Sequence, residues 1–140
     1  MACLFCGIIS GEQPAHLVWS TPETVSFLDT RPVFKGHVLV VTRLHVPTLV
    51  DLPADLVEPL FSTVQAVALA VTTALGAQGS FVAANNVVSQ SVPHLHVHVV
   101  PRTKGDGLRG FFWPRTKYTD DAEAESYAAR LHEALLSPDE

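Results

Sequence analysis

The chain has 140 residues, 47% hydrophobic and only 16% charged, with a formal net charge of −5 when histidine is neutral. This is the composition of one domain with a real core; it argues against disorder, and the missing Lys- or Arg-rich patch argues against an extended nucleic-acid surface, though not against a local nucleotide pocket. With no Lys or Arg in the first thirty residues there is no signal-peptide n-region, and no apolar run is expected to reach bilayer length, so the expectation is a soluble cytoplasmic protein without a membrane span.

Cys3 and Cys6 form a single Cys-x-x-Cys pair at the amino terminus, too few for a disulfide scaffold. A redox motif would follow a strand, and half of a zinc site would need two more ligands elsewhere. Leu4, Phe5, Ile8 and Ile9 fit a short amphipathic helix ended by Gly11. A hairpin follows, with strands at His16–Trp19 and Thr24–Leu28 and a turn at Ser20-Thr21-Pro22-Glu23. Asp29-Thr30-Arg31-Pro32 breaks the pattern. A third strand, His37–Thr42, is apolar on both faces and so reads as central. Arg43–Ala54 is a connection holding His45, Pro47 and Pro53. Asp55 is placed to cap a helix to about Leu75, with Leu56, Leu60, Val64, Val67 and Val71 as its buried stripe and Gly76 and Gly79 ending it. Phe81–Ala84 is a fourth strand, and Asn85–Ser91 turns the chain into a fifth, with Pro93 at its first position. Lys104–Gly107 is a loop. Leu108–Tyr118 carries Phe111, Phe112 and Trp113 beside Arg109 and Arg115, either a partner surface or plain packing. Thr119 or Asp120 caps a last helix to about Leu136, with acidic residues in its first turn. The sum is an α+β domain: an antiparallel sheet of about five strands with helices packed against it.

The fifth strand holds the chemistry. In His94-Leu95-His96-Val97-His98-Val99-Val100, three histidines alternate with apolar residues. Period two puts the imidazoles on one face, roughly 6.6 Å apart, and the aliphatic residues on the other. A solvated edge strand would need no histidine for this. Three imidazoles at strict spacing point instead to phosphoryl or metal chemistry.

The stretch resembles the signature of the histidine-triad (HIT) family of nucleotide-binding hydrolases and transferases, His-φ-His-φ-His-φ-φ with φ hydrophobic, complete from His94 through Val100. The flanks Gln90-Ser91-Val92 and Pro101-Arg102 also look like the family. The resemblance covers roughly residues 3 to 102 of a single HIT-like domain spanning 1–140, with an extension and helix at 103–140. It implies a HIT-like fold, a homodimer, and a substrate derived from a purine nucleoside monophosphate. It implies His96 as the nucleophile at the α-phosphorus, giving a nucleotidyl-histidine intermediate that water resolves. It implies His98 as the group supporting the transition state at the phosphate or leaving group. Ser91, Gln90 and Asn85 match phosphate-side residues, Asp29 the residue that binds the ribose hydroxyls, and Phe5, Ile8 and Phe27 the walls of the base pocket. Many members have a longer, glycine-containing loop where this chain has Asn86-Val87-Val88-Ser89. His94 has two candidate duties: support of the other histidines, or a place with Cys3, Cys6 and His45 in a tetrahedral zinc site, as in members with an amino-terminal Cys-x-x-Cys. Four protein ligands make a closed, structural site, one zinc per chain, with no metal needed for catalysis.

The leading expectation is therefore a HIT-type hydrolase. Ser91 looks like the branch that cleaves nucleoside phosphoramidates, and Pro101-Arg102 like the branch that cleaves dinucleoside polyphosphates. Behind it stand a metal-dependent hydrolase using the triad as ligands and a nucleotide- or partner-binding module without turnover.

Overall fold

The protein is described from a computed structural model, over residues 3–109 and 114–136. Phe111, Phe112 and Trp113 lie outside the described residues. By its contacts the chain divides into two units, Met1–Asp106 and Gly107–Glu140.

The first unit is the expected α+β arrangement. Strands β1 (Leu17–Ser20), β2 (Thr24–Leu28), β3 (Val38–Thr42), β4 (Gly79–Ala83) and β5 (His96–Arg102) form one antiparallel sheet in the order β1-β2-β3-β5-β4. β3 is the central strand and all five of its residues are buried. Its two apolar faces have two different covers. Val38 and Val40 join Leu95, Val97 and Val99 of the histidine segment beneath helix α2 (Val57–Leu75), which contributes Leu60, Val64 and Val67. Leu39 and Val41 join Val25, Phe27 and Phe5 beneath helix α1 (Leu4–Ser10) on the other face. Period two along β3 thus sorts alternate residues into two cores. Each fully buried aliphatic side chain contributes roughly 1.5–3 kcal/mol before entropy is charged.

Several local expectations shift. β5 begins at His96, so His94 and Leu95 sit in the bend before it, and so does Pro93. The Leu95 N–H donates to the Val46 carbonyl (2.8 Å), an anchor outside the sheet ladder. Asp55 is not the cap of α2: it lies in a 3₁₀ turn, Ala54–Leu56, and the helix starts at Val57 with no side-chain cap. Gly76 ends α2 at φ 73°, with its N–H donating to the Thr72 and Val71 carbonyls, whereas Gly79 opens β4. Gly36 also has a positive φ, 97°, a backbone conformation that strains any residue with a Cβ, so glycine suits the entry to β3. Contrary to the expectation from sequence, Ala54–Leu75 is long and apolar enough by length and composition to cross a bilayer; here it lays its Leu60, Val64, Val67 and Val71 stripe in the core.

In the second unit helix α3 (Asp121–Leu136) is capped by Asp120, whose carboxylate accepts from the Glu123 N–H (2.9 Å), with Asp121 and Glu123 in its first turn. Tyr127 pairs with the Tyr118 ring, and the Arg130 guanidinium lies 4.4 Å from the Tyr127 ring centre.

Candidate active site

A cavity of about 330 Å³ opens beside the histidine strand. Helix α1 supplies Leu4, Phe5 and Ile8 to its wall, β2 supplies Phe27, β3 supplies Leu39, and His96 and His98 face it from β5. Asp29, just after β2, and Ser91, in the segment before β5, also line it. Phe5 and Phe27 meet edge to face at 5.3 Å. The wall is therefore mostly apolar with a few convergent polar groups, the usual make-up of a small-molecule site.

The protonation of the imidazoles follows from their partners. The backbone carbonyl of His94 can only accept, so the His96 Nδ1–H donates to it (2.8 Å) and the lone pair of His96 sits on Nε2. On the other side of the pair, the Val33 N–H donates to His37 Nδ1 (3.1 Å). That leaves the His37 proton on Nε2, which donates to His98 Nδ1 (2.9 Å), and so keeps the His98 proton on Nε2. Burial, then the neighbouring charges of His96 and His37, hold His98 down at about 4, so it is neutral at pH 7. Burial also lowers His37, partly opposed by Asp29, whose carboxylate lies 3.7 Å from His37 Nε2. One imidazole thus presents a lone pair and its neighbour, 5.0 Å away centre to centre, presents an N–H.

His37 was missed by sequence reasoning, which placed it only as the start of a strand. Its one signal was a histidine opening an otherwise aliphatic run; the pairing of Leu39 with His98 across β3 and β5 is what makes it a neighbour of the triad.

Asn85 and Gln90 are not brought to the cavity wall. The Asn85 amide donates to the Ser89 carbonyl (3.3 Å), while Gln90 accepts from the Val87 N–H (3.0 Å) and donates to the Pro47 carbonyl (2.6 Å). Both are spent on holding the 85–90 loop. The loop does without glycine by placing Val87 and Ser89 at φ 70° and 62°, the left-handed region that a β-branched residue enters only under strain. Asp29 Oδ1 accepts from the Arg31 N–H (2.8 Å), as a turn residue does, and the side chain also lines the cavity.

His94 does not share the cavity. Its Nε2–H donates to the Thr42 carbonyl (2.7 Å), which leaves Nδ1 with a lone pair. That nitrogen lies 3.5 Å from Cys3 Sγ, 3.6 Å from Cys6 Sγ and 3.1 Å from His45 Nδ1, and Cys6 Sγ is 3.4 Å from His45 Nδ1. Two sulfurs and two imidazole nitrogens converge, all four within 4.8 Å of one another. Tetrahedral zinc, with bonds of about 2.0–2.3 Å, sets its ligand atoms roughly 3.3–3.8 Å apart, so the donor set fits such an ion in both chemistry and span. Burial and then Cys3 push the Cys6 thiol up; a bound cation would offset that cost and favour the thiolate.

A family model described as the HIT domain matches residues 10–105. The chain is 34% identical over 108 residues to an adenylylsulfatase of Arabidopsis thaliana, covering 76% of this chain and 55% of that longer protein. It is 31% identical over 142 residues to an adenosine 5′-monophosphoramidase of Candida albicans, covering 96% of this chain and 89% of that one. A solved zinc-bound histidine triad family protein from Mycobacterium smegmatis superposes with a TM-score of 0.74 at 33% identity, over 96% of this chain and 98% of the other.

Proposed function

The chain belongs to the HIT domain family, and from that premise we propose that it hydrolyses, or transfers from, nucleoside monophosphate derivatives through a nucleotidyl-His96 intermediate. The observation that carries this is the tautomer of His96: a carbonyl holds Nδ1–H, so Nε2 offers its lone pair at a cavity of nucleoside size.

In this reading Phe5, Ile8 and Phe27 hold the base, and Asp29 accepts from the ribose hydroxyls. His96 Nε2 attacks the α-phosphorus; the P–N bond to histidine forms as the bond to the leaving group breaks. His98 Nε2–H and the Ser91 hydroxyl hydrogen-bond the phosphate and leaving atom as charge develops there. Water then cleaves the P–N bond and frees His96, so that substrate plus water give a nucleoside monophosphate and the protonated leaving group. Asn85 and Gln90 serve by holding the loop before Ser91. The phosphoramidase and adenylylsulfatase relatives favour a P–N or phosphosulfate leaving group over a dinucleoside polyphosphate. Zinc at Cys3, Cys6, His45 and His94 would be a structural cross-link, one per chain, as the zinc-bound relative encourages. Two free cysteines kept as ligands suit a reducing, cytoplasmic location. A homodimer is supported by β4 standing last in the sheet and by the exposed Phe61 and Leu69 of α2; sedimentation equilibrium should give twice the monomer mass.

The experiment is a panel of adenosine 5′-phosphoramidate, adenylyl sulfate and a diadenosine polyphosphate, followed by release of AMP. Turnover of the first two above the third, abolished in His96→Ala, is expected; binding of AMP with no turnover of any would leave a binding module instead. A metal-dependent hydrolase has one observation in its favour, the close approach of Asp29, His37 and His98 ligand atoms. Turnover that dies at once on adding a chelator, before Cys3 and Cys6 lose their metal, would select it.

A further inference from the structure

The metal centre and the cavity are built from the same two pieces of chain. Helix α1 carries Cys6 to one and Leu4, Phe5 and Ile8 to the other, and its cap, Cys3, is itself a candidate ligand whose sulfur accepts from the Cys6 N–H (3.5 Å). A helix of seven residues has too few internal bonds to hold itself in place, so its position is set by what it is tied to. The second shared piece is the segment 91–96. Ser91, Val92 and His96 line the cavity, while His94 between them aims its ring at the cysteines. The His94 N–H donates to the Val92 carbonyl (2.8 Å) and the His94 carbonyl fixes the His96 tautomer, so the backbone of one ligand is bonded to cavity residues on both sides. Phe5 spans the gap: its ring centre is 6.0 Å from that of His94 and 5.0 Å from that of His96, edge-on to both.

We propose that a metal ion at Cys3, Cys6, His45 and His94 and a nucleoside monophosphate in the cavity bind cooperatively, through helix α1 and the segment 91–96. The proposal rests on the nucleotide-site reading above and adds a regulation to it. A ligand pair that shares its positioning elements must show a reciprocal coupling: each tightens the other by the same factor. Metal at the centre fixes α1 and with it the base wall; a base against Phe5 and Ile8 fixes α1 and with it the two sulfurs. Couplings of this kind typically amount to 5–150-fold, and with one short helix and one ring as the link a factor of about ten is expected.

Two independent titrations test this on the full-length protein. Zinc affinity is measured by competition with a chromophoric chelator, with and without saturating AMP; AMP affinity is measured by calorimetry on zinc-loaded and zinc-free protein. Both should change by the same factor, about tenfold. Phe5→Leu, which keeps an apolar side chain but removes the ring contacts, should still bind zinc with the coupling reduced towards unity. Equal zinc affinity with and without AMP, while AMP binds, overturns the linkage and leaves the nucleotide site standing. Absence of AMP binding to the zinc-loaded form overturns the functional reading and the linkage together. Circular dichroism of the zinc-free protein should show it folded, since the core under α2 contains none of the four ligands; global unfolding there would also overturn a local coupling.

Discussion

Replacing His37 with alanine tests the relay that sets the His98 tautomer. His37 is 3% exposed and uses both ring nitrogens, accepting from the Val33 N–H and donating to His98 Nδ1. The substitution strands a backbone donor and an imidazole nitrogen. A half-buried polar group left unpaired costs about 1–3 kcal/mol, so the variant should lose stability on that scale. The catalytic cost is separable. A neutral hydrogen bond contributes about 0.5–1.5 kcal/mol net, which at about 1.4 kcal/mol per decade is roughly a two- to tenfold fall in kcat, with KM little changed. Nitrogen-15 NMR of the histidine rings should show His98 moving from one tautomer to a mixture, which mere destabilisation would not produce. His37→Gln, with an acceptor and a donor on one planar amide, should recover part of kcat. A His98 that keeps a single tautomer in His37→Ala, together with kcat within twofold of wild type, would refute the relay.

Acid should destabilise the fold through the same histidines. An unfolded histidine takes its proton near 6.5, folded His98 only at about 4, and His37 is shifted the same way. Between those values the unfolded chain binds more protons, so the contribution is whole above about pH 6.5 and is lost as pH falls towards 4, by at most about 1.4 kcal/mol per pH unit per group. Urea unfolding of wild type and His98→Asn across that range should differ in slope; parallel curves count against it. Val87→Gly relieves a β-branched residue at φ 70° and should gain about 0.5–1 kcal/mol in thermal unfolding, whereas a loss would show that the loop is not strained. Cys3→Ser with Cys6→Ser should abolish one zinc per chain by elemental analysis and lower Tm; an unchanged Tm with no metal in either protein would remove the structural ion from the account.

The fold was largely legible because its signals are local. Two-sided apolarity marked β3 as central, and the Leu56, Leu60, Val64, Val67 and Val71 stripe marked α2, although Leu56 falls in the 3₁₀ turn ahead of the helix. The boundaries that moved did so for non-local reasons. His94 and Leu95 look like strand by alternation, yet the bonds from the Leu95 N–H to Val46 and from the His94 ring to the Thr42 carbonyl take both off the ladder. The cavity wall at Phe5, Ile8, Phe27, Asp29 and Ser91 came from family resemblance, and the structure brings those residues together. Asn85 and Gln90 came the same way and went instead to the loop, because a loop without glycine needs side chains to satisfy its backbone. His37 was illegible, since its role depends on which strand lies beside β5.

The nucleophile decides the central claim. Rapid quench of the enzyme with adenosine 5′-phosphoramidate labelled in the adenosine should trap a protein-bound nucleotide that survives base and is released by acid, as a phosphoramidate bond to histidine is, and fragmentation should map it to His96. An adduct on any other residue, or full turnover by His96→Ala, would contradict the account.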